Sequence, residues 1–311
     1  MRKSHDSFVT LAARVKMDLN KYEVLLRVVD LGNMTQAALE LNYTQSGISH
    51  MVKDIEEEFG FKLFIRSKKG VTLTREGIEI MPRIRALVEA SDSLRQSVAN
   101  VSGIQIGSVR IAAFQSVAST WILPVVREFH EQYPNIEIRL VDGTSDEMER
   151  MLLDRRIDLG IFVPSPRTKL QKQVLKNDPY LAVVPPNHPL ACLQRFPIEE
   201  FSNYNFILGS MSTTLRALRD AQVEVHSSFS AVDNWTAIDM VEAGMGLSLI
   251  PELELSLRKG TSVIAIPLEE PIYREIALLW PSEELGPAAT LFLDYCQTII
   301  PEVIAKDSIS N

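Results

Sequence analysis

Gln45, Ser46, Ser49, His50 and Lys53 recur at a spacing that gathers them on one side of a helix. Gln, Ser and Lys exchange hydrogen bonds with base edges or phosphate oxygens, and His50 is able to do either. Taken alone, the pattern equally describes a solvated helix face. Just downstream, Lys62, Arg66, Lys68, Lys69 and Arg75 place five cations between positions 62 and 75 with no acid among them, which suits a phosphate backbone. A net charge of −8 for the whole chain does not oppose this, because only the contacting patch must be positive.

A second group has the chemistry of a small-molecule site. Gln115, Ser116, Ser119 and Thr120 follow the strand-like VRIAAF, where the first N–H groups of a helix and its dipole favour a small anion such as a carboxylate. The same hydroxyls are also good helix caps. Thr144 and Ser145 occupy the next such corner, and Phe162 ends the third strand-like run. Ser210, Ser212 and Thr213 precede a further helix, and Asn234-Trp235 another, with Trp235 either a pocket wall or plain packing. Ligands of α/β sheets bind at the carboxyl ends of strands, where these residues should collect.

Catalytic patterns are missing. His5, His50, His130, His188 and His226 form no HExxH or other metal spacing, no GxSxG or GxxxxGK[ST] occurs, and Gly244-x-Gly246 lacks a third glycine and follows a helix. Cys192 and Cys296 lie far apart outside any CxxC, so neither a disulfide framework, a thiolate metal site nor a redox pair is expected. Binding without catalysis, metal or cofactor is the expectation.

The elements that must carry these residues follow from periodicity. Structure is expected to begin near Met17, with Leu19, Tyr22, Leu25, Leu26 and Val29 at helical spacing and Gly32-Asn33 as the stop. Met34 to Leu41 reads as a second helix with Thr35 as its cap, and Gln45 to Phe59 as a third capped by Thr44, with Ile48, Val52, Ile55 and Phe59 facing inward. FKLFIR and VTLT around Ser67-Lys68-Lys69-Gly70 read as a hairpin. Then Ile80, Ile84, Leu87, Ser91, Leu94, Val98 and Val101 keep an a/d heptad, with Pro82 kinking the helix or marking its first turn and Gly103 stopping it. That describes a pairing helix or, failing a partner, a core helix, with Arg83, Arg85, Glu89, Asp92, Arg95 and Gln96 solvated. From Gly107 strand and helix patterns alternate as βαβαβ, hence a parallel sheet with helices on its faces, and a second such stretch follows Pro164-Ser165-Pro166.

The 311 residues suit about two domains, and 46% hydrophobic with 23% charged residues is the balance of a folded globular protein. The start of the chain shows no apolar h-region and the most apolar run, 111 to 126, is interrupted by polar residues, so neither a secretory signal nor a membrane span is expected, and the reducing cytoplasm is the expected location.

The run from Met34 to Ser49 (MTQAALELNYTQSGIS), with Ile55-Glu56, Phe59-Gly60, Leu63-Phe64, Arg66 and Leu73-Thr-Arg-Glu-Gly77, resembles the LysR-type transcriptional regulators. The likeness extends through Asp158-Leu-Gly-Ile161, His188-Pro-Leu190 and the segment Val241 to Pro251. Gly47 departs from the family's usual alanine, at about 1 kcal/mol of helix stability. The resemblance implies an α/β protein: an N-terminal winged helix-turn-helix, a long dimerisation helix, and a two-subdomain effector domain like periplasmic binding proteins. The divisions it implies are an extension (1–16), a DNA-binding domain (17–76), a linker helix (77–104) and an effector domain (105–311), with subdomain I at 105–165 and 267–311 and subdomain II at 166–266. It turns Thr35, Thr44, Gln45, Ser46, Ser49, His50, Lys53, Arg66, Lys68 and Lys69 into expected contacts to double-stranded operator DNA. Gln115, Ser116, Ser119, Thr144, Phe162, Ser210, Thr213 and Trp235 become expected contacts to a small effector, an anion on the reasoning above. A homodimer, extended to a tetramer, is also implied. The rival reading is a solute-binding protein of a transport system, which a helix-turn-helix would not serve.

Overall fold

The computed structural model describes residues 15–68, 70–209 and 211–310, without the side chains of 211, 212 and 307–310. The expectations for residues 1–14, Lys69 and Ser210 lie outside the described residues. The chain divides between Ser102 and Gly103 into two compact units.

In the first unit, α1 (Leu19–Leu31) is capped by Asp18 and stopped by Gly32 at φ 60°, the left-handed conformation that glycine adopts without penalty. The cap of α2 (Met34–Glu40) is Asn33 rather than Thr35. Its carboxamide oxygen accepts from the N–H groups of Thr35 and Gln36, which leaves Thr35 inside the first turn. Thr44 caps α3 (Gln45–Phe59) as expected, accepting from Gly47 N–H at 3.0 Å. Ile48, Val52, Ile55 and Phe59 of α3 pack with Tyr22, Leu25, Val28 and Ala37 into one core. Strands β1 (Phe64–Ser67) and β2 (Gly70–Leu73) pair antiparallel, Phe64 opposite Leu73 and Ser67 opposite Gly70. The first strand starts three residues later than Phe61, where the sequence pattern begins. The amides of Leu63 and Phe64 are taken by the Glu56 carboxylate, and the ladder begins with Phe64 opposite Leu73.

Helix α4 (Arg75–Val101) has 27 residues, about 40 Å at 1.5 Å rise per residue. Thr74 caps it, Pro82 falls inside the helix rather than in its first turn, and Gly103, left-handed at φ 76° just after the C-cap Ser102, supplies the expected stop. The heptad splits between two environments. Ile84 joins Met81 and Val88 in the core of this unit, whereas Leu87, Leu94, Val98 and Val101 are 36, 67, 61 and 91% exposed. Arg85, expected in solvent, is buried and pairs with Asp30 at 2.8 Å, fastening α4 to α1.

In the second unit, β3 (Gly107–Ala113) is flanked by the parallel strands β4 (Ile136–Val141) and β5 (Leu159–Phe162), as βαβαβ requires. The intervening helix starts at α5 (Gln115–Val117), widens into a π segment (Ala118–Ile122) and continues as α6 (Leu123–Gln132). It is followed across β4 by α7 (Ser145–Leu153). The sheet runs β10-β6-β11-β5-β3-β4, with β9 also on β6. The 14-residue β6 (Gln171–Val184) exceeds the expected LAVVPP because its two halves serve different partners. Its first half pairs with β11 (Tyr273–Trp280); its second half pairs with β9 (Ser248–Pro251) and β10 (Ile264–Pro267).

Apolar clusters accordingly form around each half. Val117, Trp121, Phe129 and Phe292 of α11 (Pro287–Ser310) fill one face of the first, with Met148, Leu152 and Phe162 on the other. Phe196, Phe206 and Leu218 of α8 (Met211–Asp220) fill one side of the second, and Ala237, Ile238 and Val241 of α9 (Asn234–Glu242) the other. The pair β7 (Asn205–Leu208) and β8 (His226–Ser230) and the short α10 (Glu252–Ser256) complete this half. β8 has no apolar alternation, which is why no strand is legible there.

Candidate nucleic-acid interface and ligand cleft

The outward side of α3 presents Gln45, Ser46, His50 and Lys53 in solvent and Ser49 half-exposed, all on the turns nearest the Thr44 cap. Thr44 Oγ1 lies 3.2 Å from Ser46 Oγ, and Lys53 forms an (i, i+4) pair with Glu57 at 3.3 Å. The hairpin adds Arg66, whose guanidinium donates to Ser49 Oγ at 3.2 Å, so wing and helix form one polar surface. Lys68 is exposed at the hairpin tip, and Thr35 is exposed at the start of α2. Lys62 is instead spent on Glu56 at 2.7 Å.

Glu56 has a part that composition did not suggest. It lies on the apolar side of α3, four residues after Val52 and three before Phe59, and is buried. Burial alone would raise its carboxyl. The Lys62 ammonium and the N–H groups of Leu63 and Phe64 outweigh that and hold it below the ordinary carboxylate range. The spacing was the available signal: an acid on the inner face of a helix must find donors.

In the second unit the seven expected ligand contacts that lie among the described residues separate. Gln115 and Ser119 are exposed, Ser116 is buried, and no side chain caps the turn that they occupy. Thr120 bonds back to the Ser116 carbonyl at 2.7 Å instead. Thr144 is used by a capping box with Glu147, accepting from Glu147 N–H and donating to its carboxylate at 2.7 Å. Phe162 is wholly buried in the core with Met148 and Leu152 and offers no surface to a ligand. Thr213 is buried near the start of α8. Trp235 turns elsewhere: Arg258 stacks over its ring at 5.6 Å, in a hollow lined also by Glu242, Leu257 and Lys259 and by none of the other six among the described residues.

Between the two halves runs a seam of buried charge that charged positions inside apolar runs could have flagged. Arg274 faces Asp178 across the β11–β6 register and donates to it at 2.8 Å through Nε and to Glu254 of α10 at 2.9 Å through Nη1. Leu253 N–H donates to the other Asp178 oxygen, and Asn234 bonds Glu254. The Arg274 guanidinium lies 5.6 Å over the Phe114 ring, beside the Ser116 turn. Desolvation opposes the charge of Arg274, but Glu254 and Asp178 raise its pKa above the ordinary value. Arg216 of α8 crosses to the other half, donating to the Pro164 carbonyl at 3.3 Å and lying 3.7 Å from Asp146 of α7.

Among the described residues no cluster of His, Cys, Asp and Glu is arranged to hold a metal, and no helix is long and apolar enough to cross a membrane. Cys192 is exposed, and burial pushes the Cys296 thiol up, away from a reactive thiolate.

Two family models match the chain: the lysR family of bacterial regulatory helix-turn-helix proteins over residues 19–78, and the LysR substrate binding domain over residues 102–299. YvbU, an HTH-type transcriptional regulator of Bacillus subtilis strain 168, is 30% identical over 91% of this chain and 99% of its own length. A full-length OxyR variant from Pseudomonas aeruginosa shares the fold at TM-score 0.71, 18% identical, covering 92% of this chain and 96% of that one. CbnR in complex with its target DNA matches at TM-score 0.60 and 20% identity over 90% of this chain and 99% of its own. The relatives are regulators, which removes the solute-binding alternative.

Proposed function

The chain belongs to the LysR family of DNA-binding transcription regulators, and from that premise we propose how its residues divide the work. α3 enters the major groove and reads operator bases through Gln45, Ser46, Ser49 and His50, while Thr35, Thr44, Lys53, Arg66, Lys68 and Lys69 meet phosphate. The observation that carries this is the exposed polar side of α3, joined to the hairpin by the Arg66–Ser49 bond. Two copies pair through the exposed seam of α4 from Leu87 to Val101, and contacts between effector domains extend the dimer to a tetramer. A small effector lodges at the seam around Ser116 and Thr213 and shifts the placement of the paired DNA-binding domains. The protein works in the cytoplasm by binding, without catalysis.

Selecting bound fragments from a genomic library defines the operator. On that operator, Ser49→Ala or His50→Ala should cost about tenfold in preference over random DNA, taking about 1–3 kcal/mol for a good base contact. Lys68→Ala with Lys69→Ala should weaken both and reduce the salt slope by about two. If all three variants keep wild-type discrimination and salt slope, α3 and the hairpin are not the DNA-contacting face.

A further inference from the structure

Six buried polar atoms of the second unit have no hydrogen-bond partner among the described residues, and, Trp121 Nε1 and Tyr180 Oη aside, they lie on segments that adjoin one another. Ser116 Oγ, Ser145 Oγ, Thr214 Oγ1 and Arg274 Nη2 have no hydrogen-bond partner among the described residues, and each residue is at least nine-tenths buried. Ser116 and Ser145 follow the adjacent parallel strands β3 and β4, at their carboxyl ends. Thr214 lies on α8, which packs against α7 and β11, and Arg274 stacks on Phe114 next to Ser116. A fold gains nothing from orphaned hydroxyls in its interior, so such atoms at the mouth of two strands mark a polar ligand.

The charges at this seam decide which ligand. Arg274 is committed to two carboxylates, Asp178 and Glu254, and Arg216 lies against Asp146. The three groups of the Arg274 cluster sum to a formal charge of −1, one guanidinium against two carboxylates. An anion brought here would lose its hydration and meet two cations already committed to carboxylates, with only a partial positive charge at the α5 turn to offset the loss. Hydroxyls, by contrast, adapt as donors or acceptors, and Nη2 needs an oxygen acceptor.

We propose that the seam binds a neutral, oxygen-rich small molecule, such as a polyol, sugar or amide, through Ser116, Ser145, Thr214 and Arg274 Nη2. This rests on the seam being the effector site, and it replaces the anion that the sequence pattern favours. Acetamide and acetate are near-isosteric probes that differ in charge. Methyl NMR of the full chain, reading Thr214 with Thr72 of the hairpin as a remote control, should show acetamide binding at least about tenfold more tightly than acetate, a ratio that a single desolvated charge readily produces. Thr214→Val with Ser145→Ala keeps the packing and removes two orphaned atoms. That variant should melt no lower than the wild type while losing the acetamide response at Ala113. Tighter acetate binding at the seam would overturn the neutral class and leave the seam as the effector site. No response at Thr214 to either probe would overturn both, and a lower melting point would show that the hydroxyls serve the fold.

Discussion

Glu56 offers the sharpest test of how the DNA-binding unit holds its hairpin against its recognition helix. One carboxylate oxygen accepts from Leu63 N–H at 2.9 Å and Phe64 N–H at 3.3 Å, and the other from Lys62 Nζ at 2.7 Å. Glu56→Ala strands two buried amides, at about 1–3 kcal/mol each if water does not reach them. Lys62 is 69% exposed, so its share is at most about 1 kcal/mol. The expected loss is about 3 kcal/mol. Glu56→Gln keeps an oxygen that both amides can use and lowers the burial cost of the group, so about 1 kcal/mol is lost. Hydrogen exchange at the Leu63 and Phe64 amides should therefore accelerate about a hundredfold in the Ala variant and about fivefold in the Gln variant. Equal acceleration in the two, or none in either, would refute the idea that this oxygen anchors the hairpin. The pH dependence has a definite sign: the folded carboxyl lies below its ordinary value of 4.5, so the stabilisation is complete above that value and is lost as pH falls through the folded pKa. Protection of the two amides should decline in that acid range, and the Gln variant should lack the decline.

Leu87→Asp with Leu94→Asp sets charges on the exposed seam of α4, and sedimentation should show smaller species; an unchanged mass removes α4 from the assembly. Arg85→Ala removes the buried guanidinium that bonds Asp30 and should destabilise the first unit by about 2 kcal/mol in denaturant unfolding, whereas Arg83→Ala, on the exposed side, should change little. Thr44→Ala removes the cap of α3 and should cost about 1 kcal/mol together with some operator affinity, while Thr35→Ala, which caps nothing, should leave stability unchanged. Phe162→Ala should cost about 3–5 kcal/mol of stability in the second unit, as a core residue does and a pocket wall does not.

Wherever a local rule dominated, the residues by themselves determined the outcome. The 3.6-residue spacing of Ile48, Val52, Ile55 and Phe59, with Thr44 before and Gly60 after, specifies α3 to the residue, because cap, periodicity and stop agree. The βαβαβ order likewise yields parallel β3, β4 and β5, since a right-handed crossover leaves little choice. Tertiary structure decided what depends on partners distant in sequence. The heptad of α4 is one continuous pattern, yet only the packing of α1 separates buried Ile84 and Arg85 from exposed Leu94 and Val98. Thr144 and Phe162 look like site residues at strand ends until Glu147 claims the first and the Met148–Leu152 core the second. Asp178, Glu254 and Arg274 lie up to 96 residues apart and share no motif. Only the meeting of β6, β11 and α10 brings them together, and burial there forces their charges to pair.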